Sequence, residues 1–270
     1  MIYDCFIFND ELELLELRLM ETYDLVDWFV LVECPYNWQQ RRKPLFYNEN
    51  SCRFSKWSSK IRHIVADSIP LGGFPVIESA QRDYMERGFH DADCTDTIIV
   101  SDADEIMSRK ALSRLRDDPP TQRIGTAQFL YYYYVNCIRH KVWNGPVALP
   151  RGVGRISCQE VRLSRGEVGS YFPITEGGWH FSWLGDIERL QYKLMCHTIM
   201  EDSIAFTGQE ISVPDPSDAE HLRLCLSTGI DLFRRDDESS QGKFIPIDPG
   251  NTHPSTITSW LDKFPDMVRT

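Results

Sequence analysis

Apolar residues near the start of the chain fall into strand-length runs separated by a periodic segment of helix length. Residues 3–8 form an apolar and aromatic run, and leucines recur three or four positions apart within residues 11–22. This pattern predicts a strand and then a helix, with Asp10 as its N-cap and Glu13 reaching back to the cap in a capping box. Residues 28–32 predict a second strand, so we expect two parallel strands joined by a right-handed crossover.

Strands and helices continue to alternate as far as residue 135, where the pattern changes. The further predicted helices span residues 50–59, 77–89 and 108–116, and the further predicted strands span residues 61–65, 97–100 and 127–135. The short, unbroken run at 97–100 is typical of a buried parallel strand. Residues 136–185 are rich in Gly, Pro, Trp and Arg, which predicts loops and hairpins laid over the first half, before helices at 187–202 and 218–228.

The chain is therefore expected to be an α/β protein with a composite second half. Its 270 residues, 42% of them hydrophobic, can bury roughly 70–75% of the surface that the unfolded chain would expose. One domain over residues 1–245 is the simplest organisation. We expect residues 246–270 to form a loosely held C-terminal tail.

Composition and charge narrow the class of protein. With 29 basic and 40 acidic residues the net charge is −11, which argues against a nucleic-acid partner. No apolar run approaches the roughly 20 residues needed to cross a bilayer, and the first residues lack the features of a secretory signal, so we expect a cytoplasmic protein. The eight cysteines include no C-x-x-C pair, which favours reduced, buried thiols over a zinc or dithiol site.

Two aspartates directly follow the run at residues 97–100. In an extended segment, Asp102 and Asp104 point to the same side, at the strand end where open parallel sheets bind ligands. Paired carboxylates without Cys or His between them suit Mg²⁺ or Mn²⁺, which in turn can hold a diphosphate. The alternative is that Asp102 caps the following helix, while Asp104 and Glu105 occupy its first turn.

Three further charged residues are candidates for a binding site. Glu33 ends the second predicted strand and could hydrogen-bond a base, a ribose or a sugar hydroxyl, or it could be an ordinary acid at the edge of a loop. Arg82 could bind phosphate oxygens as a fork, or form a surface salt bridge. Lys193 could meet a phosphate, or be solvated like most lysines.

Aromatic residues of the second half supply other candidates. Two glycines just before Trp179 let the backbone approach closely. The indoles of Trp179 and Trp183 could stack on a sugar, and the imidazole of His180 could bind a metal. The alternative is that these three side chains are buried in the core. The four tyrosines at residues 131–134 could line a saccharide groove on one side of a strand and pack in the core on the other. The chain lacks the motifs of Rossmann oxidoreductases, P-loop NTPases and serine hydrolases.

Taken in chain order, these segments resemble glycosyltransferase family 17, a family of β-1,4-mannosyl-glycoprotein 4-β-N-acetylglucosaminyltransferase-like enzymes. The clearest matches read YDCFIFNDE, VDWFVLVE, VSDADEI and GWHFSW. The segments that carry the resemblance lie at residues 3–11, 14–19, 26–33, 43–45, 81–83, 99–106, 178–183 and 229–233. They extend over nearly the whole chain.

The resemblance implies a GT-A type, Rossmann-like mixed sheet flanked by helices, with residues 1–135 as the nucleotide-sugar-binding half and 136–245 as the acceptor-side half. It implies an inverting, metal-dependent enzyme that moves a sugar, N-acetylglucosamine, from a UDP-sugar to a glycan or lipid-linked saccharide. Asp102 and Asp104 would hold Mn²⁺ or Mg²⁺, with His180 as a further ligand.

The resemblance also implies roles for the other candidates. Arg82 and Lys193 would assist the diphosphate, and Glu33 would contact the nucleoside or a sugar hydroxyl. Trp179 and Trp183 would shape the sugar pocket.

An inverting displacement needs a group that takes the proton of the acceptor hydroxyl. Glu105 is the first candidate for this base, with Asp186 and Glu176 as rivals. Without an anchor, the enzyme is expected to act from the cytosol or peripherally at the membrane, as in a bacterial or viral system. The alternatives are a metal-dependent phosphohydrolase or nucleotidyltransferase that uses the same Asp pair, and a non-catalytic glycan-binding module.

Overall fold

One mixed β-sheet organises the chain in a computed structural model that describes residues 1–70, 72, 74–154, 156–196, 214–234 and 241–270. Its strands are β1 (Ile2–Phe8), β2 (Trp28–Glu33), β3 (Ile61–Val65), β4 (Thr97–Asp102), β5 (Glu105–Met107), β6 (Ile124–Tyr132), β7 (Cys137–Pro150), β8 (Tyr171–Phe172), β9 (Gly178–Ser182) and β10 (Gly242–Phe244). Helices flank this sheet, which confirms the predicted α/β class.

The α-helices of the described residues are α1 (Leu12–Thr22), α2 (Phe46–Glu49), α3 (Phe74–Asp83), α4 (Arg109–Asp117), α5 (Cys158–Leu163), α6 (Ile174–Gly177), α7 (Ile187–Cys196), α8 (Ala219–Thr228) and α9 (Ile257–Leu261). Two predicted helices differ in kind, because 50–59 is a 3₁₀-helix at Ser51–Lys60 and 77–89 divides into α3 and a 3₁₀ segment. The predicted helix at 187–202 is described only as far as Cys196, and the rest lies outside the described residues.

The strand order places the parallel strands at one end of the sheet, as β3-β2-β1-β4-β7-β6-β9-β5. Neighbours among β3, β2, β1 and β4 are parallel. The central residues of β1, β2 and β4 are buried on both faces, whereas those of the edge strand β3 are half-buried. In this register Phe8 lies beside Glu33, and Ile7 lies beside Asp102. The carboxyl ends of β1, β2 and β4 therefore meet at one edge, where the site lies.

The second half contributes far more regular structure than expected. β7 runs for 14 residues in the middle of the sheet, antiparallel to both β4 and β6. The strand continues through Gly145 and Pro146, and the Pro146 carbonyl accepts a bond from Thr126. β7 does form a hairpin with β6, but it is one long strand inside the sheet, so the prediction of loops laid over the first half is wrong for these residues.

The predicted capping box of α1 is also wrong. The helix starts at Leu12, and no side chain caps it. Glu13 pairs with Arg53 and Arg189 rather than with the helix start. Glu11 instead turns back so that its carboxylate accepts from the backbone amides preceding it, because those donors lie within reach of its longer side chain.

The C-terminal segment is packed rather than loosely held. Trp260 on α9 is fully buried and donates its indole N–H to the Glu13 carbonyl at 2.8 Å. Buried Glu21 accepts bonds from Ser255 and Thr256. The expectation of a loose tail overlooked the apolar face of α9, which needs a partner in order to be buried.

The remaining sequence expectations concern thiols and membranes. All eight cysteines are free, and six of them are buried, as expected. None of the helices in the described part of the chain combines the length and the apolar character that crossing a membrane requires.

Candidate active site

A cavity of about 230 Å³ lies at the carboxyl edge of the parallel strands. Its walls come from the ends of β1 and β4, from the loop after β2, and from side chains on α3, α5, α7, β7 and β9. Both acidic and basic groups line it, among them Glu11, Asp102, Asp104, Arg162 and Lys193. A site of mixed charge at this edge suits a polar, anionic ligand.

Asp102 lies between two guanidinium groups. Its Oδ1 is 2.7 Å from Nη1 of Arg82, and its Oδ2 is 3.0 Å from Nε of Arg162. Burial alone would raise the pKa of Asp102, but the two arginines outweigh it and hold the pKa well below its ordinary range. Arg82 is itself fully buried and also pairs with Glu78 at 2.6 Å. Both oxygens of Asp102 are thus engaged by the protein.

A second buried ion pair fixes the turn after β4. Arg18 of α1 forms a two-pronged pair with Asp4, at 2.7 and 2.5 Å. The same guanidinium donates to the backbone carbonyls of Asp102 and Ala103 at 3.0 and 3.2 Å. Arg18 therefore orients the segment that presents Asp104 to the cavity.

Asp104 has a looser environment than Asp102. Its carboxylate oxygens lie 3.4 Å from Nε2 of His180 and 3.5 Å from Nζ of Lys193. Burial would raise the pKa of Asp104, but these two groups outweigh it and lower the pKa to about 2. Nδ1 of His180 is buried and has no hydrogen-bond partner among the described residues. The longer contacts of Asp104 leave its carboxylate oxygens free to bind a further group.

Glycine brings the His180 strand close to the Asp104 turn. Gly178 has φ of 118°, and a Cβ there would lie 2.2 Å from the Ile106 carbonyl oxygen. Pairing of β5 with β9 then sets Glu105 opposite His180. The close backbone approach expected of the glycine pair is confirmed.

Comparison with known proteins identifies the family. The sequence model of glycosyltransferase family 17 matches residues 1–225 of this chain. The chain belongs to glycosyltransferase family 17. It is thus a glycosyltransferase, which decides against a phosphohydrolase, a nucleotidyltransferase and a non-catalytic glycan-binding module.

Similarity to solved structures is weak by comparison. A Bacillus anthracis protein described as a glucose-1-phosphate thymidylyltransferase has 10% identity over 64% of this chain and 87% of that chain, with a TM-score of 0.35. HddC from Yersinia pseudotuberculosis has 11% identity over 68% of this chain and 89% of that chain, with a TM-score of 0.32. No curated protein sequence matches the chain. Similarity this low does not inform function, so the assignment depends on the family 17 match.

About half of the site residues predicted from the sequence line the cavity. Asp102, Asp104, His180, Trp183 and Lys193 line it. Arg82 reaches its rim through the ion pair with Asp102. Lys193 Nζ also lies 5.3 Å from the centre of the Trp183 ring.

Glu33 and Trp179 have structural surroundings instead. Glu33 is fully buried, and its carboxylate accepts from the backbone amides of Tyr47 and Asn48 at 2.9 and 3.2 Å. His63 Nε2 lies 2.9 Å from the same carboxylate. Trp179 is buried in the apolar cluster formed with Ile106 and residues of β6. Neither belongs to the described lining of the cavity, and the donor contacts expected of both stay predictions.

The carboxylates expected to act as the base also lie elsewhere. Glu105 is fully buried beneath the cavity, where it accepts from Trp143 Nε1 at 2.7 Å and Arg162 Nη2 at 3.1 Å. Asp186 is exposed and caps α7 by accepting from the Arg189 amide at 2.9 Å. Glu176 pairs with Arg114 at 3.1 Å. None of these three is among the described residues that line the cavity, so an acceptor held there would not reach them.

The residues at the cavity fit a metal that is shared with a substrate rather than a cage built by the protein. The described residues contain no group of three His, Cys, Asp or Glu side chains arranged to hold an ion. Asp102 is engaged by arginines, whereas Asp104 faces the cavity beside His180. Mg²⁺ is commonly held by one or two carboxylates together with phosphate oxygens and water. Asp104 offers such a carboxylate.

Sequence reasoning missed three residues at or beside this site: Glu11, Arg18 and Arg162. Arg162 lies on a six-residue helix in a region expected to be loops, so its approach to Asp102 has no local signal. Arg18 is an arginine in the middle of a leucine-rich helix, which does indicate a buried partner. Glu11 was assigned only to the start of α1.

Proposed function

We propose that this family 17 enzyme transfers N-acetylglucosamine, with inversion, from UDP-N-acetylglucosamine to a glycan or lipid-linked saccharide with the help of Mn²⁺ or Mg²⁺. The observation that carries the proposal is the cavity at the carboxyl edge of β1 and β4, where Asp104 faces Lys193 and His180. A nucleotide-sugar diphosphate carries negative charge, and this arrangement offers both a cation and a carboxylate able to share a metal with it. Action from the cytosol, or peripherally at a membrane, stays a prediction.

In this proposal, different residues of the cavity contact different parts of the donor. Lys193 contacts a diphosphate oxygen, and the Trp183 indole packs against the sugar ring. Asp104 holds the metal, which when bound neutralises charge on the departing diphosphate. Arg82 and Arg162 hold Asp102, and with it the cavity wall opposite Lys193, in place.

Donor binding is the first test. Calorimetry with UDP-N-acetylglucosamine and Mn²⁺ is expected to give metal-dependent binding, lost on adding a chelator. Asp104→Ala should weaken it by at least about tenfold, equal to ~1.4 kcal/mol, because the carboxylate that shares the metal is gone. Asp117→Ala, at the exposed end of α4, is the matched control and should bind like the wild type.

Three results would each contradict one part of the proposal. Failure of the folded wild type to bind any UDP-sugar, in a panel that includes UDP-glucose and UDP-galactose, would exclude a UDP-sugar donor. Unchanged affinity in the presence of chelator would exclude the metal. An anomeric proton coupling in the product that matches retention would exclude inversion.

A further inference from the structure

The proposed reaction needs a carboxylate that is close to both the donor and the acceptor hydroxyl, and neither Glu105 nor Asp186 belongs to the described lining of the donor cavity. Four carboxylates belong to the described lining of the cavity: Glu11, Glu78, Asp102 and Asp104. An effective base needs at least one oxygen that is free to accept the proton of the acceptor. The partners of each carboxylate therefore decide which one is available.

Two of the four carboxylates are paired with arginines, and a third is assigned to the metal. Asp102 is bonded to arginines through both oxygens, and Glu78 is paired with Arg82 at 2.6 Å. Asp104 lies against Lys193 and His180, and it is the carboxylate proposed to share the metal. Each of these acids loses its present electrostatic partner if it takes up a proton.

One carboxylate oxygen of Glu11 is fixed by backbone amides, and the other can still bind a ligand. Its Oε2 accepts from the backbone amides of Asn9 and Asp10 at 3.0 and 3.2 Å. Its Oε1 accepts no hydrogen bond from the part of the chain that the structure describes. Two amides thus fix the orientation of the carboxylate, while the second oxygen keeps its lone pairs for a ligand.

A small void beside Glu11 lies between the donor cavity and a wide outer groove. Glu11 and Lys193 line both the donor cavity and a small adjoining void. Asp10 and Arg189 line that void and also an outer groove of about 860 Å³. Glu11 therefore lies between the place proposed for the donor and a second space large enough for several sugar rings.

The outer groove has the chemistry of a saccharide site. Aromatic rings of Phe46, Tyr134 and Tyr192 line it together with the carboxylates of Asp186 and Glu188. Aromatic faces pack against the C–H faces of sugars, and carboxylates accept bonds from sugar hydroxyls. Phe46 and Tyr192 meet edge to face with their ring centres 6.2 Å apart, which holds them as one surface.

We propose that Glu11 is the catalytic base, and that it deprotonates the hydroxyl of an oligosaccharide acceptor that enters from the outer groove. This inference rests on the proposed function. The acceptor oxygen forms a bond to the anomeric carbon as its proton passes to Oε1 of Glu11. The bond from that carbon to the diphosphate oxygen breaks, and its electron pair leaves with UDP.

The electrostatic surroundings of Glu11 agree with this role. Burial and the neighbouring Asp10 raise the pKa of Glu11, while Lys193 opposes the rise. A carboxylate with a raised pKa is a stronger proton acceptor once it is ionised.

The test compares Glu11→Gln with Glu220→Gln, an exposed glutamate of α8 that serves as the matched control. Two quantities are measured for each: donor affinity by calorimetry with UDP-N-acetylglucosamine and Mn²⁺, and turnover as UDP release and as transfer onto arrayed glycans. Glu11→Gln should lower turnover about 10²–10⁴-fold and leave donor affinity within about twofold, as expected for loss of a general base. The control should match the wild type in both.

A second variant separates a catalytic role from a structural one. In Glu11→Ala, added formate should restore part of the turnover, because a small carboxylate can occupy the vacated space, and a structural loss would not respond. Turnover of Glu11→Gln within about threefold of the wild type would overturn the assignment of the base. So would donor affinity and turnover falling in parallel. Absence of donor binding by the wild type would instead contradict the proposed function.

Discussion

The two walls of the cavity use the same kinds of residue in opposite ways. On one wall Asp102, Glu78 and Glu105 meet Arg82 and Arg162 at 2.6 to 3.1 Å, so every charge has a close partner. On the other wall the Asp104 carboxylate is 3.4 Å from Nε2 of His180 and 3.5 Å from Nζ of Lys193. Charges that already satisfy one another hold a structure together, whereas charges with spare capacity can bind a ligand.

The difference has a simple origin in the fold. Arg162 comes from α5, which packs on β4, and Arg82 comes from α3, which packs on β1, β2 and α5. Burial there forces each charge to find a partner. Lys193 and His180 come from α7 and β9 at the far side of the cavity, facing open space. Two aspartates separated by one residue can therefore have different functions.

The largest effect on stability is expected from Asp102→Asn. It leaves Arg82 and Arg162 without their shared partner, and breaking a buried ion pair costs about 3–5 kcal/mol of the free energy of unfolding. Urea unfolding measures this directly. Asp24→Asn, which removes the exposed partner of Arg109, is the matched control and should cost less than about 1 kcal/mol. Equal costs for both variants would remove the distinction between the two walls.

Asp104→Asn should affect turnover strongly and stability little, the converse of Asp102→Asn. Turnover is expected to fall about 10²–10³-fold, the usual effect of removing one group that stabilises charge in a transition state. Its free energy of unfolding should change less than that of Asp102→Asn, since its contacts are longer. The measurements are UDP release and urea unfolding on the same preparations. An Asp104 variant that unfolds like the Asp102 variant would assign both residues to structure.

The sequence predicted the parallel half of the fold and the location of the site. Continuous apolar runs mark β1, β2 and β4. Asp102 and Asp104 lie at the end of β4, so the position of that strand in the sheet also fixes theirs. The sequence did not predict β7, because Gly145 and Pro146 resemble a turn unless the neighbouring strands are known.

The side-chain partners were the least predictable part of the site. Arg162 is 60 residues from Asp102 along the chain, and no local pattern records that contact. Glu33 and Glu105 resembled ligand-binding acids at strand ends, yet backbone amides and an indole N–H already occupy them. Whether a carboxylate is free depends on tertiary contacts, which is why Glu11 emerges only from the structure.

The outer groove extends the comparison from the donor to the acceptor. Tyr192→Ala should raise the KM for a glycan acceptor about threefold to tenfold, as expected for the loss of one aromatic contact worth ~0.5–1.5 kcal/mol. Donor affinity should not change, because Tyr192 lies outside the described lining of the donor cavity. Transfer to an acceptor found on the glycan array measures both. Tyr171→Ala, at a half-exposed tyrosine of β8, is the control. A larger change in donor affinity than in acceptor KM would place Tyr192 in donor binding.

The smallest effect on the free energy of unfolding is expected for the exposed ion pair between Asp24 and Arg109, which is the control for the buried ion pairs of Asp102. The hydrogen bond from Arg109 lowers the pKa of Asp24 below its unfolded value. A carboxyl group with a depressed pKa stabilises the fold above its unfolded pKa, and this contribution disappears as the pH falls through the folded pKa. The difference in unfolding free energy between the wild type and Asp24→Asn should therefore be below about 1 kcal/mol at pH 7 and should vanish in acid. High salt should also reduce it, because both side chains are exposed. A difference that persists in acid would mean that Asp24 stabilises the fold through packing rather than charge.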